Sequence, residues 1–281
     1  KPHIGHAYTT LACDVIARFM RLDGRNVMFM TGTDEHGQKV EKSAQAEDTD
    51  PLAFCDSVSE NFRDLTPLLN YSNDGFIRTT EERHTKASQA LWQAVEQAGD
   101  IYLDKYAGWY SVRDEAYYTE EELHEGKNGE KLSPFGSPIE WVEEPSYFFR
   151  LSKWQDRLLS YYAADPNRIL PISRRNEVIS FVKSELRDLS ISRTSFKWGI
   201  PVPGDDEHIM YVWFDALTNY ITAAGYPDVK SKKFQTFWPA SVHMVGKDIL
   251  RFHAVYWPAF LMSAGIDPPK RIFAHGWWTV E

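Results

Sequence analysis

Two histidines at the start of the chain have the spacing of a phosphate-binding helix start. His3 and His6 flank Gly5 just before an apolar, helix-forming run. The first N–H groups of a helix are free and its amino end is electrostatically positive, so phosphate is attracted there. Gly5 would let a nucleoside approach the backbone without meeting a Cβ, and two imidazoles can donate hydrogen bonds to phosphate oxygens. Taken alone, a His-x-x-His tetrapeptide is more often a pair of surface histidines.

Two stripes at helical spacing combine aromatic and polar side chains. They consist of Trp213, Ala216 and Tyr220, and of Ile249, His253 and Trp257. The first set lies at i, i+3 and i+7 and the second at i, i+4 and i+8, so each set shares one helical face. Such stripes usually belong to a plain core. An ordinary core avoids the polar tips of Tyr220 and His253 unless they have partners, which favours a binding pocket.

Five segments, in order, resemble the class I aminoacyl-tRNA synthetases and, among them, the enzymes that activate methionine. They are KPHIGHAY at 1–8, TGTDEHG at 31–37, YVWFDA at 211–216, VGKDI at 245–249 and AHGW at 274–277. The first contains the HIGH signature of the class. One such motif is a weak signal, but five in register span essentially the whole chain.

The resemblance implies two sets of site residues. The ATP-binding set is His3, Gly5, His6, Gly246, Asp248, Gly276 and Trp277, with His3 and His6 as catalytic residues. The methionine-binding set is Asp34, Arg193, Trp213, Ala216, Leu217, Tyr220, Ile249, His253 and Trp257. Leu217 stands where some family members have proline. A thioether is soft and polarizable, and it packs well on aromatic rings.

Several of these residues also have simpler explanations. Asp34 would hold the ammonium group of an amino acid, but a single Asp before a helix is more often an N-cap. Arg193 would help to fix the amino acid end, and without the resemblance it would be a surface ion pair. Asp248 would meet the ribose hydroxyls, with Gly276 and Trp277 receiving the adenine. An N-cap at Asp248 and a turn at Gly246 remain open.

The reaction implied by the resemblance is ATP-dependent activation of L-methionine to methionyl-adenylate, followed by transfer to tRNA(Met). Mg²⁺ would accompany the ATP phosphates. The second signature of the class, KMSKS, is expected beyond Glu281, and a strand is expected before His3. We therefore expect a fragment that is incomplete at both ends.

The surrounding sequence predicts an α/β fold with a Rossmann-like parallel sheet that carries the HIGH motif. An inserted connective-peptide module interrupts the sheet, giving a catalytic domain at 1–100 and 199–281 and an insertion at 101–198. Helices are predicted over 6–22, 51–69, 213–224 and 249–264, and a capping box at Thr79 and Glu82 begins another. Buried strands are predicted at 26–31, 241–245 and 271–274, and short β-strands between 102 and 150.

Composition narrows the function classes. The formal net charge of −9 argues mildly against nucleic acid binding, which conflicts with the tRNA that the resemblance implies. We expect part of the tRNA-binding surface to lie outside the fragment, and no DNA partner. The scarcity of cysteine (Cys13 and Cys55 alone) suits a reducing cytoplasm. The absence of a long apolar run predicts no membrane span. Relatives often carry Cys-x-x-Cys knuckles in the insertion, but this insertion has no cysteine, so we expect no structural zinc.

Three rival functions remain open. A HIGH-type nucleotidyltransferase, or another class I synthetase, would also read ATP through His3 and His6. A non-catalytic tRNA-binding relative would keep the fold without the reaction. A dinucleotide-dependent oxidoreductase is disfavoured because no Gly-x-Gly-x-x-Gly follows any strand.

Overall fold

The computed structural model describes residues 1–126, 129–184 and 186–276. Its α-helices are α1 (Ile4–Leu22), α2 (Gln38–Ala46), α3 (Pro51–Arg63), α4 (Leu65–Leu68), α5 (Glu82–Gln97), α6 (Gln155–Ala163), α7 (Ile172–Lys183), α8 (Val212–Ala224), α9 (Lys232–Phe237) and α10 (Trp257–Ser263).

The strands fall into a parallel and an antiparallel group. In chain order they are β1 (Met30–Thr33), β2 (Gly75–Arg78), β3 (Ile101–Ser111), β4 (Ala116–Tyr118), β5 (His124–Glu125), β6 (Lys131–Leu132), β7 (Glu140–Phe149), β8 (Ile169–Leu170), β9 (Leu189–Ser190), β10 (Ser192–Arg193), β11 (Pro201–Val202), β12 (Asp205–Met210), β13 (His243–Gly246) and β14 (Ile272–His275).

The parallel strands form the frame that was predicted for an α/β fold. β1 pairs with β2, and β14 pairs with β13 on one side and β8 on the other. The strands predicted at 26–31, 241–245 and 271–274 are present, shifted by one to four residues toward the carboxyl end at each boundary. Boundaries are the least reliable part of a pattern-based prediction.

The segment after α5 is antiparallel, as its alternation of short aromatic runs and turns predicted. β3 and β7 form a long antiparallel pair in which Ile101 lies opposite Phe149 at one end and Tyr110 lies opposite Glu140 at the other. β4 pairs with β3, and β9 pairs with β7. The division of the chain at 101 and 198 stays a prediction. The hydrogen bonds reveal one feature that it did not anticipate: β8, inside the predicted insertion, pairs with β14 of the parallel group.

A cluster of hydrogen bonds around Asp114, which we call the hub, holds together the β3–β4 end of this antiparallel region. The carboxylate of Asp114 accepts hydrogen bonds from the hydroxyls of Ser133, Ser137 and Tyr118. The Ser111 hydroxyl accepts from the backbone N–H of Asp114 at 3.2 Å. The three serines are buried, so within the described residues this end is held by hydrogen bonds around one carboxylate.

Three local predictions were wrong. The helical spacing of Leu11, Val15, Phe19 and Leu22 predicts the inward face of α1, but all four are exposed, Leu22 to 88%. The inward side carries Asp14 instead, which accepts hydrogen bonds from the backbone and side chain of Ser72 at 2.6 Å. Thr79 does not cap α5, whose N-cap is Glu81. Its hydroxyl instead accepts a hydrogen bond from the backbone N–H of Glu35. The helical run predicted from 51 to 69 is divided into α3 and α4.

The helix predicted over 249–264 is also interrupted. A π-helical turn occupies Phe252–Tyr256 before α10, and the N–H of Trp257 bonds to the carbonyl of Phe252, five residues back. Pro258 lacks the N–H that would bond to the Ala254 carbonyl in a regular α-helix. The buried hydroxyl of Tyr162 donates to that carbonyl at 2.6 Å. π-turns of this kind are frequent at functional sites.

Candidate active site

His3 and His6 cap the first turn of α1. The Nδ1 of His3 accepts a hydrogen bond from the N–H of Gly5 at 3.1 Å, and the N–H of His3 donates to the Nδ1 of His6 at 3.1 Å. Because both Nδ1 atoms accept, each neutral ring carries its proton on Nε2, on the side away from these bonds. Two N–H donors therefore stand at the positive end of a helix, an arrangement suited to an anion.

Gly5 is needed for this arrangement even without a ligand. A Cβ at this position would lie 2.9 Å from the His3 ring, closer than real contacts allow. The two imidazole rings are 3.8 Å apart. Partial burial and the neighbouring His3 lower the pKa of His6, so His6 is less readily protonated than an isolated imidazole.

The start of α1 lies beside the carboxyl end of β14. The Thr9 hydroxyl and the Nε2 of His275 are 2.7 Å apart, and the Tyr8 ring meets the His275 ring edge-on at 5.0 Å. Gly276, which the resemblance assigns to adenine binding, follows directly, and a Cβ built on it would meet none of the described residues within 4 Å. Trp277, the other predicted adenine contact, lies outside the described residues.

Asp34 stands on a firmly held turn after β1. The buried Glu35 forms a two-bond ion pair with Arg78 at 2.7 and 2.9 Å. The Glu35 N–H donates to the hydroxyl of Thr79 at 2.9 Å, and its carbonyl accepts from the indole N–H of Trp198 at 2.6 Å. Both the backbone and the side chain next to Asp34 are thus fixed.

The carboxylate of Asp34 is free to receive a ligand. It has no hydrogen-bonding or ion-pair partner among the described residues, and α2 is capped by Gly37 rather than by Asp34. Although Asp34 as a whole residue is exposed, desolvation of its carboxylate by the surrounding protein and then the charge of Asp215 raise the pKa of Asp34 to about 6. At neutral pH it is an ionised carboxylate, and no described cationic group is bonded to it.

A buried His–Asp–His cluster lies behind this turn. The two oxygens of Asp215 are each 2.6 Å from an imidazole nitrogen, Nδ1 of His36 and Nε2 of His84. Burial works against the charges, but the two imidazoles lower the pKa of Asp215 to about 2. In turn, although burial opposes it, Asp215 raises the pKa of His36.

An uncharged aromatic wall is built around Tyr220. The Nδ1 of His253 lies 2.9 Å from the Ile249 carbonyl, which can only accept, so Nε2 accepts the Tyr220 hydroxyl proton at 2.7 Å. Tyr220 also stacks on His243 at 3.9 Å, and the indole N–H of Trp257 donates to His243 at 3.3 Å. Burial lowers the pKa of His253 to about 4 and that of His243 well below its ordinary value.

Trp213 extends the wall, and Tyr220 joins it to the acidic turn. Trp213 stacks flat on Phe252 with ring centroids 3.9 Å apart. Burial, and after it the charge of Asp34, raise the pKa of Tyr220, which places that ring within electrostatic range of the carboxylate. The aromatic wall and the Asp34 carboxylate are therefore electrostatically coupled.

Three further predicted methionine-binding residues, Ala216, Leu217 and Arg193, are buried. Ala216 and Leu217 are almost completely buried inside α8. Arg193 lies beneath the β3–β4 hairpin, with its guanidinium 4.2 Å from the Tyr117 ring centroid and 3.7 Å from the Glu144 carboxylate. No contact between Arg193 and Asp34 is present among the described residues.

In the turn after β13, the side chain of Asp248 comes close to Gly246, which explains why this predicted site position is a glycine. A Cβ on Gly246 would lie 2.4 Å from Oδ1 of Asp248, so only glycine lets that carboxylate fold back over the turn. Asp248 belongs to the 3₁₀ turn Lys247–Ile249, whose N-cap is Gly246 and not Asp248. The structure therefore does not support the simple N-cap explanation of Asp248.

Several supporting residues were missed from the sequence. Asp215 lies inside the quoted YVWFDA segment, and an acid flanked by apolar residues in a buried helix signals a required partner. His36 lies in the TGTDEHG segment between Glu35 and Gly37, where no local pattern marks it as a partner of Asp215. His84, Arg78 and Trp198 carry no local motif, since they act only through contacts that are distant in sequence.

Glu115 is a further unanticipated neighbour of the acidic turn. It occupies the β3–β4 turn with φ of +52°, and the Tyr211 hydroxyl donates to its carbonyl at 2.7 Å. A Cβ on Gly37 would lie 2.9 Å from its carboxylate. Burial raises the pKa of Glu115 to about 7, with Lys39 acting in the opposite direction.

The fold and this site agree with a comparison against known families. The sequence model described as tRNA synthetases class I (M) matches residues 1–281. The chain therefore belongs to the class I tRNA synthetases. It has the α/β fold of that class, with parallel strands.

The individual relatives that match are ligases for one amino acid, methionine. The chain is 64% identical over 277 residues to the methionine–tRNA ligase of Rickettsia typhi, and 63% identical over 276 residues to that of Mesorhizobium japonicum. These matches cover 99% and 98% of the chain but 54% and 53% of the relatives. The chain thus spans about half the length of the curated relatives it matches.

Solved structures give the same result. A Mycobacterium tuberculosis methionyl-tRNA synthetase bound by methionyl-adenylate is similar with a TM-score of 0.96 and 57% identity, covering 98% of this chain and 55% of that one. The free form of the M. tuberculosis enzyme gives a TM-score of 0.86 at 55% identity, over 98% of this chain and 53% of that one. Across the part of the chain that the structure describes, no helix is long and apolar enough to cross a membrane.

Proposed function

We propose that this chain forms the catalytic region of an enzyme that activates L-methionine with ATP and passes the methionyl group to tRNA(Met). One observation carries the proposal. The unpaired carboxylate of Asp34 lies in electrostatic range of Tyr220, whose ring anchors an uncharged aromatic wall. An ammonium group and an apolar, polarizable side chain can bind side by side there. The similarity to an adenylate-bound synthetase supports the same assignment.

In this reaction the methionine carboxylate attacks the α-phosphorus of ATP. A carboxylate–phosphorus bond forms, the bond to the bridging oxygen breaks, and pyrophosphate leaves with the electron pair. The Nε2–H groups of His3 and His6 would donate to phosphate oxygens as their charge grows. No protein nucleophile is needed, because positioning and electrostatic stabilisation do the work. The methionyl group then moves to the terminal ribose of the tRNA.

The remaining assignments belong to the same proposal. Asp248 would meet the ribose hydroxyls, and Gly246 and Gly276 would offer backbone to the nucleotide. Arg193 would act on the amino acid end. Mg²⁺, held mainly by ATP, would offset phosphate charge. The enzyme would work in the cytoplasm without structural zinc, and the insertion at 101–198 would be one module beside the catalytic domain.

Amino-acid-dependent ATP–pyrophosphate exchange tests this function on the full-length protein with all twenty amino acids. We expect exchange with methionine alone. Asp34→Asn should raise the methionine KM on the order of 10²-fold or more, because a charged partner of the ammonium is lost. Asp206→Asn, an exposed site on β12, should leave it unchanged.

Other outcomes point to the rival functions. Exchange with another amino acid would overturn the substrate, and exchange that depends on no amino acid would point to a different nucleotidyltransferase. A complete lack of exchange together with tRNA binding would favour a non-catalytic relative.

A further inference from the structure

We propose that His36 is a positioning residue that places positive charge behind Asp34 and keeps this carboxylate ready for the substrate's ammonium group. The inference rests on the proposed function, since it concerns how the acidic turn binds its substrate. His36 touches neither the substrate nor the reacting atoms in this scheme. It acts through the charge and the geometry of its neighbours.

The geometry leaves His36 little freedom. Its Nδ1 is 2.6 Å from Asp215, whose other oxygen is 2.6 Å from His84. The His36 ring meets the Trp198 ring edge-on at 5.3 Å, and the following Gly37 N–H donates to the Trp198 carbonyl at 3.0 Å. The ring is therefore held on both sides, next to the turn that carries Asp34.

Asp215 also joins this cluster to the aromatic wall. It lies on α8 between Trp213 and Tyr220 and is 1% exposed. The second imidazole, His84 on α5, is completely buried and lies 3.2 Å from the hydroxyl of Thr222 on α8. One rigid helix thus fixes both the wall and the carboxylate that orients His36.

The charges around Asp34 show why a cation is needed there. The ionisable groups that face it are Glu35 and His36 on its own turn, Asp215 and Tyr220 on α8, His84 on α5 and Glu115 from the antiparallel hairpin. Arg78 compensates Glu35. The remaining acids would favour a protonated Asp34, which cannot bind an ammonium ion by charge.

His36 and His84 oppose that tendency. Both lower the pKa of Asp34, which nevertheless stands at about 6 under the combined effect of desolvation and Asp215. A neutral side chain in place of His36 would therefore raise the pKa of Asp34 further. Methionine binding would then weaken at a pH where the wild-type site is still ionised.

A purely structural role for His36 predicts something different. Gln at position 36 can still donate a hydrogen bond to Asp215 and fill most of the ring's volume, but it cannot carry a proton charge. If His36 only fills space, His36→Gln would alter the methionine KM equally at every pH. If it supplies charge, the effect depends on pH.

The test uses the full-length protein in ATP–pyrophosphate exchange from pH 5.5 to 8.5. For a one-unit rise in the Asp34 pKa, the methionine KM of His36→Gln exceeds that of the wild type about threefold at pH 6.5 and about eightfold at pH 5.5, and matches it at pH 8.5. The KM for ATP should keep the wild-type pH profile. His124→Gln, at an exposed histidine of the insertion, should match the wild type throughout.

His84→Gln provides a second variant should His36→Gln fail to fold, and a shift of the same sign is expected because His84 also lowers the Asp34 pKa. Superimposable methionine profiles for wild type and variants overturn the inference and leave the proposed function intact. Absence of methionine-dependent exchange in the wild type at every pH overturns the proposed function itself.

Discussion

Asp215 shows at the residue scale how strongly a buried charge depends on its partners. Its carboxylate is 1% exposed and is bonded by two imidazoles. Asp215→Asn would place an amide N–H against one imidazole N–H and remove the charge that both need. We expect the free energy of unfolding at pH 7 to fall by about 3–5 kcal/mol, the usual cost of removing one partner of a buried pair.

Denaturant unfolding of wild type and Asp215→Asn measures this difference. Asp206→Asn is the matched control, because the same chemical change at an exposed site should stay within about 0.5 kcal/mol. A loss below about 1 kcal/mol in Asp215→Asn would mean that the imidazoles do not depend on its charge.

At the scale of elements, the π-turn depends on a hydroxyl from another helix. The hydroxyl of Tyr162 on α6 donates a hydrogen bond to the Ala254 carbonyl. This carbonyl has no helical partner, because Pro258 has no N–H. Tyr162→Phe should therefore lower the free energy of unfolding by about 1–3 kcal/mol. It should also disturb the position of His253 and so raise the methionine KM.

Tyr117→Phe is an unusually close control for that change. The Tyr117 hydroxyl is buried and has no hydrogen-bond partner within the described residues, so its removal should be neutral or slightly stabilising. Equal losses in the two variants, measured by the same denaturant titration, would show that the bond to Ala254 does not hold the turn.

The hub around Asp114 makes a second element-scale prediction. Asp114→Ala leaves the buried hydroxyls of Ser133 and Ser137 without their acceptor, and each hydrogen bond to a charged group is worth about 1.5–3 kcal/mol. Local opening should make proteolytic cleavage between 111 and 137 about tenfold faster or more. Glu143→Ala, at an exposed position on β7, should not change the rate, and equal rates would contradict the hub.

Across the whole molecule, local patterns predicted what depends on neighbours in sequence. The first helix, the strand before Asp34 and the helical stripe through Tyr220 follow from periodicity and short motifs, although their exact boundaries do not. The contacts that give Asp34 its character do not, because Asp215 and His84 are separated from it by long stretches of chain. The predicted stripe of α1 is exposed, and its inward side carries Asp14, whose partner Ser72 is 58 residues away in sequence.

Glu115 offers a test of how the antiparallel hairpin and the parallel frame are coupled. Its folded-state pKa of about 7 lies above the value near 4.3 of an unfolded chain, so the folded protein binds more protons between these limits. Stability should then decline as pH rises from about 4.5 to 7, since the ionised form is the one that the fold disfavours.

Glu115→Gln removes that titration and keeps the size of the side chain. We expect wild type and variant to have equal free energies of unfolding at about pH 4, and the variant to be more stable by about 1–2 kcal/mol at pH 8, a figure reduced for partial exposure to solvent. Glu143→Gln should show no difference at either pH. A variant that is less stable than the wild type at pH 8 would contradict this expectation. It would mean that ionised Glu115 stabilises the contact between the hairpin and the parallel strands through Lys39 at the start of α2.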